Sequence, residues 1–305
     1  MDSTRVGADK HMDWKTTRVS TILEQALVED HVTHDATTEL TLDPKLSASA
    51  AIVAKQDCVL AGSEAIPRVL EIFRKLDKDS RRHFEVVHHT EMFDGVRVRE
   101  GQVIAVIRGN ARTILACERV TLNLLQRMCG IATETRKYVD AVAGTGVVIL
   151  DTRKTAPGLR VLDKYAVSCG GGQNHRMDLA DGVLIKNNHI SLGGGVAKVL
   201  GLAMQRRLPG QKIQIEVRSL SELDEALAGG ADSLLLDNMT PGEATNAVGI
   251  ARRQIPNIPV EVSGGITLNT VQEYAQTGVT YISVGALTHS VSAIDLSMKI
   301  TAEIF

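Results

Sequence analysis

Apolar positions in the first part of the chain switch between two periods. STILEQALVEDH sets Ile22, Leu23, Ala26 and Leu27 at helical spacing behind Ser20, a residue type that can cap a helix start. ASAAIVAK and CVLAG are short apolar runs of strand length. IPRVLEIFRKL returns to helical spacing through Val69, Leu70, Ile72, Phe73 and Leu76. FEVVHH and VRVREGQVIAVIRG alternate, with Glu100-Gly101 as the turn. From Asn110, another capping type, to about Val142 the pattern is helical and long, and Gly130 is expected to break it. Residues 1 to about 16 are polar and are expected to be loose.

Beyond Val142 the rhythm changes. VVILDT, DGVLIKNNH, IQIEVR, SLLLDN, VEVSGG and YISVGA are near-continuous apolar runs. Helical segments such as LSELDEALAGGA, PGEATNAVGIARRQ and LNTVQEYAQTGV lie between several of them. Strands apolar on both faces, alternating with helices, predict a parallel sheet. The number and length of the units favour a closed or nearly closed barrel over an open doubly wound sheet. The final IDLSMKI alternates with period two and is expected to return as a strand to the N-terminal sheet. There is no repeat beyond this rhythm and no low-complexity segment.

A parallel barrel opens all its strand carboxyl ends on one face, where chemistry sits. Those ends carry Asp151, Arg153 and Lys154; Lys186, Asn188 and His189; Glu216; Asp237 and Asn238; Ser263-Gly264-Gly265; and Ser283 to Gly285. Lys186 and Glu216 sit within apolar runs, which argues against a set of merely solvated loop residues. VSGGIT and SVGALT follow the last two strands, where glycine exposes backbone N–H groups and a helix start adds its dipole, a phosphate-binding arrangement. Gly170 to Gly172 then lead into His175 and Arg176. Arg153, Lys154, His175, Arg176 and Lys186 outweigh Glu216 and Asp237, which matches ligands bearing carboxylates and a phosphate. The two acids suit Mg²⁺ or ribose hydroxyls. No spacing suits a tight zinc site, and no Ser-His-Asp pattern is placed for acyl transfer. DGVRVREGQVIAVIRG looks like a biotin- or lipoate-carrying sandwich but lacks the lysine motif at a hairpin tip, so a swinging arm is rejected.

Composition limits the partners. The 305 residues are 44% hydrophobic and 23% charged, ordinary for a soluble globular chain, and the net charge is -2. No global basic field is available for nucleic acid or an anionic membrane, so any cation cluster is local. Cys58, Cys117, Cys129 and Cys169 are scattered without a CxxC pair and are expected to be buried free thiols, which fits a reducing cytoplasm. There is no signal-like N-terminus and no run of membrane-spanning length.

CERVTLNLLQRMCGIAT, ILDTRKTAPGLRVLDKYAV, GGGQNHRMDLADGVLIKNNH, IEVRSLSELDEAL, LLLDNMTP, EVSGGITLNTV and ISVGALTHS closely resemble the quinolinate phosphoribosyltransferases. These stretches span about residues 117 to 290 in order, with weaker similarity back to Leu23. The order DTRKTxPG, GGGxxNHR, LIKxNH is highly specific. Two departures stand out: EDHVTHDATT lacks the glycines usual in that segment, and Asn187 stands where an Asp is common.

The resemblance implies an α/β fold with an N-terminal open α/β sandwich plus a C-terminal, seven-stranded-like parallel α/β barrel. The expected domains are 1–126, with 291–305 returning to it, and 127–290. It implies transfer of phosphoribosyl from phosphoribosyl pyrophosphate (PRPP) to quinolinate with decarboxylation, giving nicotinate mononucleotide, pyrophosphate and CO₂ in de novo NAD synthesis. Mg²⁺ and a cytoplasmic homodimer are expected. Arg153, His175, Arg176 and Lys186 are expected to hold the quinolinate carboxylates, joined by Arg119 across the dimer interface. Lys154, Glu216 and Asp237, with Ser263, Gly264, Gly265 and Gly285, are expected to hold the donor, and Glu216 and Asp237 the metal. Three rivals remain: a related phosphoribosyltransferase using nicotinate or an unknown substrate, a Schiff-base aldolase built on Lys186, and a non-catalytic anion sensor.

Overall fold

A computed structural model describes residues 12–77 and 83–303. The chain divides into two compact units: residues 1–136, 155–171 and 288–305, and residues 137–154 and 172–287. The boundary read from the sequence, at 126/127, falls inside one long helix, and the units divide at 136/137.

The first unit contains α1 (Thr17–Glu29), α2 (Ala36–Thr41), β1 (Ser47–Ala54), β2 (Cys58–Val59), α3 (Ala65–Leu76), β3 (Phe84–His88), β4 (Arg97–Val98) and β5 (Val103–Asn110). It also holds most of α4 (Ala111–Ala141), then α5 (Arg160–Cys169) and β12 (Leu296–Ala302). Its main sheet is antiparallel in the order β12-β1-β5-β3. Ala48, Ala50 and Ile52 of β1 alternate inward and are buried. The last strand pairs Ala50 with Ile300 and Ile52 with Met298, so the period-two tail is a strand of this sheet. CVLAG gives only a two-residue strand paired with β4.

Three expectations are corrected here. Thr16, not Ser20, caps α1, accepting from the Val19 N–H at 3.4 Å, while Ser20 lies within the helix and accepts from Arg68 at 2.8 Å. Trp14, in the segment expected to be loose, is buried and meets Tyr165 edge-on at 5.6 Å between ring centroids; residues 1–11 lie outside the described residues. Gly130 does not break α4, which is continuous for 31 residues. It permits close approach instead: a Cβ there would press on the Ser292 carbonyl oxygen and lie 3.1 Å from Val291 Cγ2.

The glycine-poor EDHVTHDATT segment runs into the start of α2, which Asp35 caps by accepting from the Thr38 N–H at 3.0 Å. The Thr38 hydroxyl and then its N–H hold the Asp35 carboxyl below its usual range. Arg127 on α4 grips Asp163 of α5 through Nε and Nη2, both at 2.8 Å, and the same fully buried carboxylate accepts the Ala156 N–H at 3.0 Å. That contact anchors the segment following Lys154.

The second unit contains β6 (Val148–Leu150), β7 (Val183–Ile185), α6 (Asn187–Gly193), α7 (Val196–Arg206), β8 (Ile213–Val217), α8 (Leu220–Ala228), β9 (Ser233–Asp237), α9 (Pro241–Gln254), β10 (Val260–Ser263), α10 (Val271–Ala275) and β11 (Tyr281–Ser283). A short α11 (Ala286–His289) follows. Six parallel strands run in the order β6-β11-β10-β9-β8-β7. Gln173 makes a single parallel bridge to Leu150 on the outer side of β6, a seventh position reduced to one residue. This is the expected barrel-type α/β sheet. Among the described residues no helix is long and apolar enough to cross a membrane.

Gly130→Ala tests the close approach in the first unit. In an isolated helix this change gains about 1 kcal/mol. Here it should destabilise by about 1–3 kcal/mol through overpacking against Ser292. Denaturant unfolding reads the sign, and a stabilised variant would contradict the packing described.

Candidate active site

Parallel register puts the carboxyl ends of the second unit's strands level. Ser263 pairs with Asp237 on one side and Ser283 on the other, Ser283 with Leu150, Val217 with Leu236, and Ile185 with Ile215. Arg153, Lys154, Lys186, Glu216, Asp237, Ser263-Gly264-Gly265 and Gly285 therefore stand at or just beyond one rim. His175 and Arg176 reach it on the loop after Gln173. Arg119 lies on α4 of the first unit and is exposed.

Two acids hold the loop of His175. Asp151, fully buried, accepts the His175 N–H at 2.8 Å. Glu261, 1% exposed on β10, lies 3.4 Å from His175 Nε2. It also accepts from Gln214 Nε2 at 2.8 Å and from the Ser283 hydroxyl. Burial pushes the Glu261 carboxyl up, but the hydrogen bonds from His175, Ser283 and Gln214 outweigh it and hold the carboxyl below its usual range. The other ring nitrogen, Nδ1, accepts the Arg176 N–H at 2.7 Å.

Arg176 continues outward and donates to the Gly182 carbonyl at 3.2 Å. Partial burial, then the positive charge of Arg153, lowers its pKa, opposed by Asp181 and Asp178. Two guanidinium groups near enough to repel form a site that an anion stabilises.

Lys186 is the first residue past β7 and is exposed, although its apolar surroundings in sequence suggested enclosure. Its N–H donates to His189 Nδ1 at 2.9 Å. Glu216 is buried on β8 and accepts the Asn187 N–H at 3.2 Å, so it fixes the residue beside Lys186. An exposed lysine lacks the apolar pocket that a Schiff-base nucleophile requires, which removes the main support for the aldolase rival.

Glu216 pairs with Leu235, and Asp237 lies two residues further along β9. Period two therefore puts both carboxylates on the same face of neighbouring strands. Among the described residues no cluster of three or more His, Cys, Asp or Glu forms a metal cage. Two adjacent acids instead fit Mg²⁺ completed by substrate phosphate and water.

The Ser263 turn requires glycine. Gly264 has φ +103° and Gly265 φ +62°, and a Cβ at Gly264 would press on the Asn238 side chain and lie 3.0 Å from its backbone nitrogen. Asn238 itself has φ +57° and donates its N–H to the Ser263 carbonyl at 2.9 Å.

The candidate residues read from the sequence did not include Glu261 or Gln214. Their signal was present: each is a polar residue in an apolar strand, the same mark that singled out Glu216.

Comparison with known proteins agrees with this architecture. The family model "Quinolinate phosphoribosyl transferase, C-terminal domain" matches residues 131–299, and its N-terminal counterpart matches residues 35–129. The chain is 41% identical over 280 residues to the probable nicotinate-nucleotide pyrophosphorylase [carboxylating] of Bacillus subtilis (strain 168), covering 92% of each chain. It is 39% identical to the mitochondrial quinolinate phosphoribosyltransferase [decarboxylating] 2a of Nicotiana tabacum, covering 93% of this chain and 82% of that one. The crystal structure of NadC from Streptococcus pyogenes superposes with a TM-score of 0.87 at 35% identity, covering 96% of this chain and 100% of that one. Matches to both family models, over a rim with this set of cations, acids and glycine turns, establish that the chain belongs to the quinolinate phosphoribosyltransferase family.

Proposed function

We propose that this chain transfers phosphoribosyl from PRPP to quinolinate with loss of CO₂, giving nicotinate mononucleotide and pyrophosphate, a step of de novo NAD synthesis. The observation that carries the reading is the rim itself. Arg153 is near enough to Arg176 to lower its pKa, and both stand at the same strand ends as Glu216 and Asp237 and the glycine turns of adjacent strands. Quinolinate brings two carboxylates, and the surplus of cations suits two better than the one of nicotinate.

Arg153, His175, Arg176 and Lys186 surround the carboxylates, with Arg119 of the partner subunit completing the set in a homodimer. Lys154, Glu216 and Asp237 hold the donor, whose phosphate rests on the Ser263-Gly264-Gly265 and Gly285 turns. Mg²⁺, held by Glu216 and Asp237, would supply positive charge toward the pyrophosphate.

Breaking the C1–pyrophosphate bond develops positive charge on the ribose, which the two acids stabilise. Lys154 faces the negative charge gathering on the leaving group. Once ribosylated, the pyridine nitrogen is cationic; loss of CO₂ leaves the bonding electron pair on the ring carbon beside it, and that carbon takes a proton from water to give the nicotinate ring. The product therefore needs no covalent nucleophile from the protein, and positioning with electrostatics carries the catalysis. The four buried free thiols among the described residues support placement in a reducing cytoplasm.

The deciding assay is release of CO₂ from quinolinate with and without PRPP. PRPP-dependent release is expected, and none in its presence would refute the reading; binding of both ligands without turnover would favour the anion sensor.

Arg153→Ala and Arg176→Ala each remove charge-assisted hydrogen bonds worth roughly 1.5–3 kcal/mol. Quinolinate affinity should fall by about one to two orders of magnitude while PRPP affinity changes less. Equal weakening of both ligands in a binding titration would move these arginines to the other substrate.

Glu216→Gln and Asp237→Asn keep shape and remove charge. Turnover should fall strongly in both, with the Mg²⁺ titration shifted to higher concentration. Wild-type turnover at low Mg²⁺ in both variants would take the acid pair out of the mechanism.

Arg119→Ala and Lys154→Ala homodimers should each be nearly inactive. Random subunit exchange makes about half of the dimers mixed, each with one intact site, so about a quarter of wild-type activity should return for independent sites in a C₂ dimer. Native mass spectrometry counts the mixed dimers. Mixed dimers without recovered activity would place Arg119 in its own chain's site or in the fold alone.

A further inference from the structure

Glu261 lies two residues before Ser263 on the same strand face and pairs with Leu235, which pairs with Glu216 on its other side, so Glu261 and Glu216 are level; Gln214 lies two residues before Glu216 on β8. A carboxylate with 1% exposure in a sheet interior is costly unless donors satisfy it. Three elements provide them: Gln214 Nε2 reaches Oε2 at 2.8 Å, and the Ser283 hydroxyl and His175 Nε2 reach Oε1, the latter at 3.4 Å. His175 is thereby committed on both ring nitrogens. Nδ1 accepts the Arg176 N–H at 2.7 Å, so it carries no proton, and the proton belongs on Nε2 toward Glu261.

We propose that Glu261 is a positioning residue for the acid substrate: through His175 it fixes the backbone of Arg176 and so the direction from which that arginine meets a quinolinate carboxylate. The chain of contacts is Glu261 carboxylate, His175 Nε2, His175 Nδ1, Arg176 N–H. Asp151 holds the same loop independently through the His175 N–H, so the loop survives loss of Glu261 but its outward end loses its ring anchor. Glu261 touches no substrate. Its route to the substrate is the arm that carries Arg176, and separate titration of the two ligands reads whether the effect stays off the Glu216–Asp237 side. This inference rests on the reading that the rim takes quinolinate.

The first test needs no ligand. Nitrogen-15 correlation spectra of the histidine rings in the ligand-free protein, with His175 assigned by its absence in His175→Gln, should show the neutral tautomer protonated on Nε2. A proton on Nδ1 would overturn the proposal whatever the substrate is. The second test is a double-mutant cycle read by calorimetric titration of quinolinate and PRPP separately. Glu261→Gln should weaken quinolinate binding about tenfold and change PRPP binding less than about twofold. In the His175→Gln background the same substitution should have almost no further effect on quinolinate, because its route is gone. Equal effects in both backgrounds, or equal weakening of both ligands, would overturn the proposal in favour of a general packing role. Should Glu261→Gln not fold, Ser283→Ala keeps the charge and loosens one anchor; it should weaken quinolinate binding selectively, and unchanged binding would count against the proposal. Wild-type protein that binds PRPP but no quinolinate would overturn the functional reading and the substrate named here, while the ring spectrum still decides the Glu261–His175 contact.

Discussion

Parallel pairing is the constraint on which the site depends. Each strand of the second unit runs the same way, so each must leave the sheet on the same side, and the register keeps those exits level: Leu150, Ser283, Ser263 and Asp237 are successive partners across the sheet. An apolar body supports the rim, with Ile149, Ile213, Ile215, Leu234, Leu236, Val260, Val262 and Ile282 all buried. Polar side chains that would be scattered over an antiparallel sheet are gathered here by direction alone. The net charge of -2 consequently says nothing about the local field, because basic groups concentrate at one end of a near-neutral chain.

Such a gathering is electrostatically expensive before ligand arrives. The depressed pKa of Arg176, caused by partial burial and then by Arg153, records that cost on one group. An anion bound there would relieve it, and in the proposed function part of the binding energy would derive from repulsion already built into the protein. The fold can sustain this only if the loops bearing the cations are held by contacts other than the cations themselves. Ordering those loops in advance reduces the entropy lost when substrate binds.

Legibility in the sequence followed the physics of each feature. Two-sided apolar strands are written as unbroken runs, so β6 to β11 and their rim residues could be read directly. The C-terminal strand was legible from its alternation. Gly130 was misread because propensity is local, whereas the constraint on it is the backbone of Ser292, far along the chain. The capping residue of α1 was placed four positions late, since Ser20 and Thr16 are both suitable types and only geometry separates them. LNTVQEYAQTGV yielded just Val271–Ala275 as α-helix; α5 and α6 lie within the motif stretches that drew attention to their chemistry, and α7 went unread although Val196, Val199 and Leu200 recur at helical spacing. Glu261 was passed over although it bore the same mark as Glu216. What the sequence could not express is that donors from β8, β11 and the His175 loop converge on it.

Those convergences share a form. Asp151 takes the N–H of His175, beside Arg176; Glu216 takes the N–H of Asn187, beside Lys186; and Asp163 takes the N–H of Ala156, two residues beyond Lys154. The distances are 2.8, 3.2 and 3.0 Å, and all three acids are buried. A carboxylate bound directly to a neighbouring cation would compete with an anionic substrate for it. Bound to the adjacent backbone amide, it holds the segment in place and satisfies an N–H that burial would otherwise leave costly. Arg127 completes the scheme for Asp163 by donating to both of its oxygens in a fork. Glu261 differs in gripping a side chain rather than an amide, and it passes its hold to the Arg176 amide through the His175 ring. The buried acids thus act on the shape of the cationic rim, and under the proposed function the charge that substrate would meet is set by the residues between them.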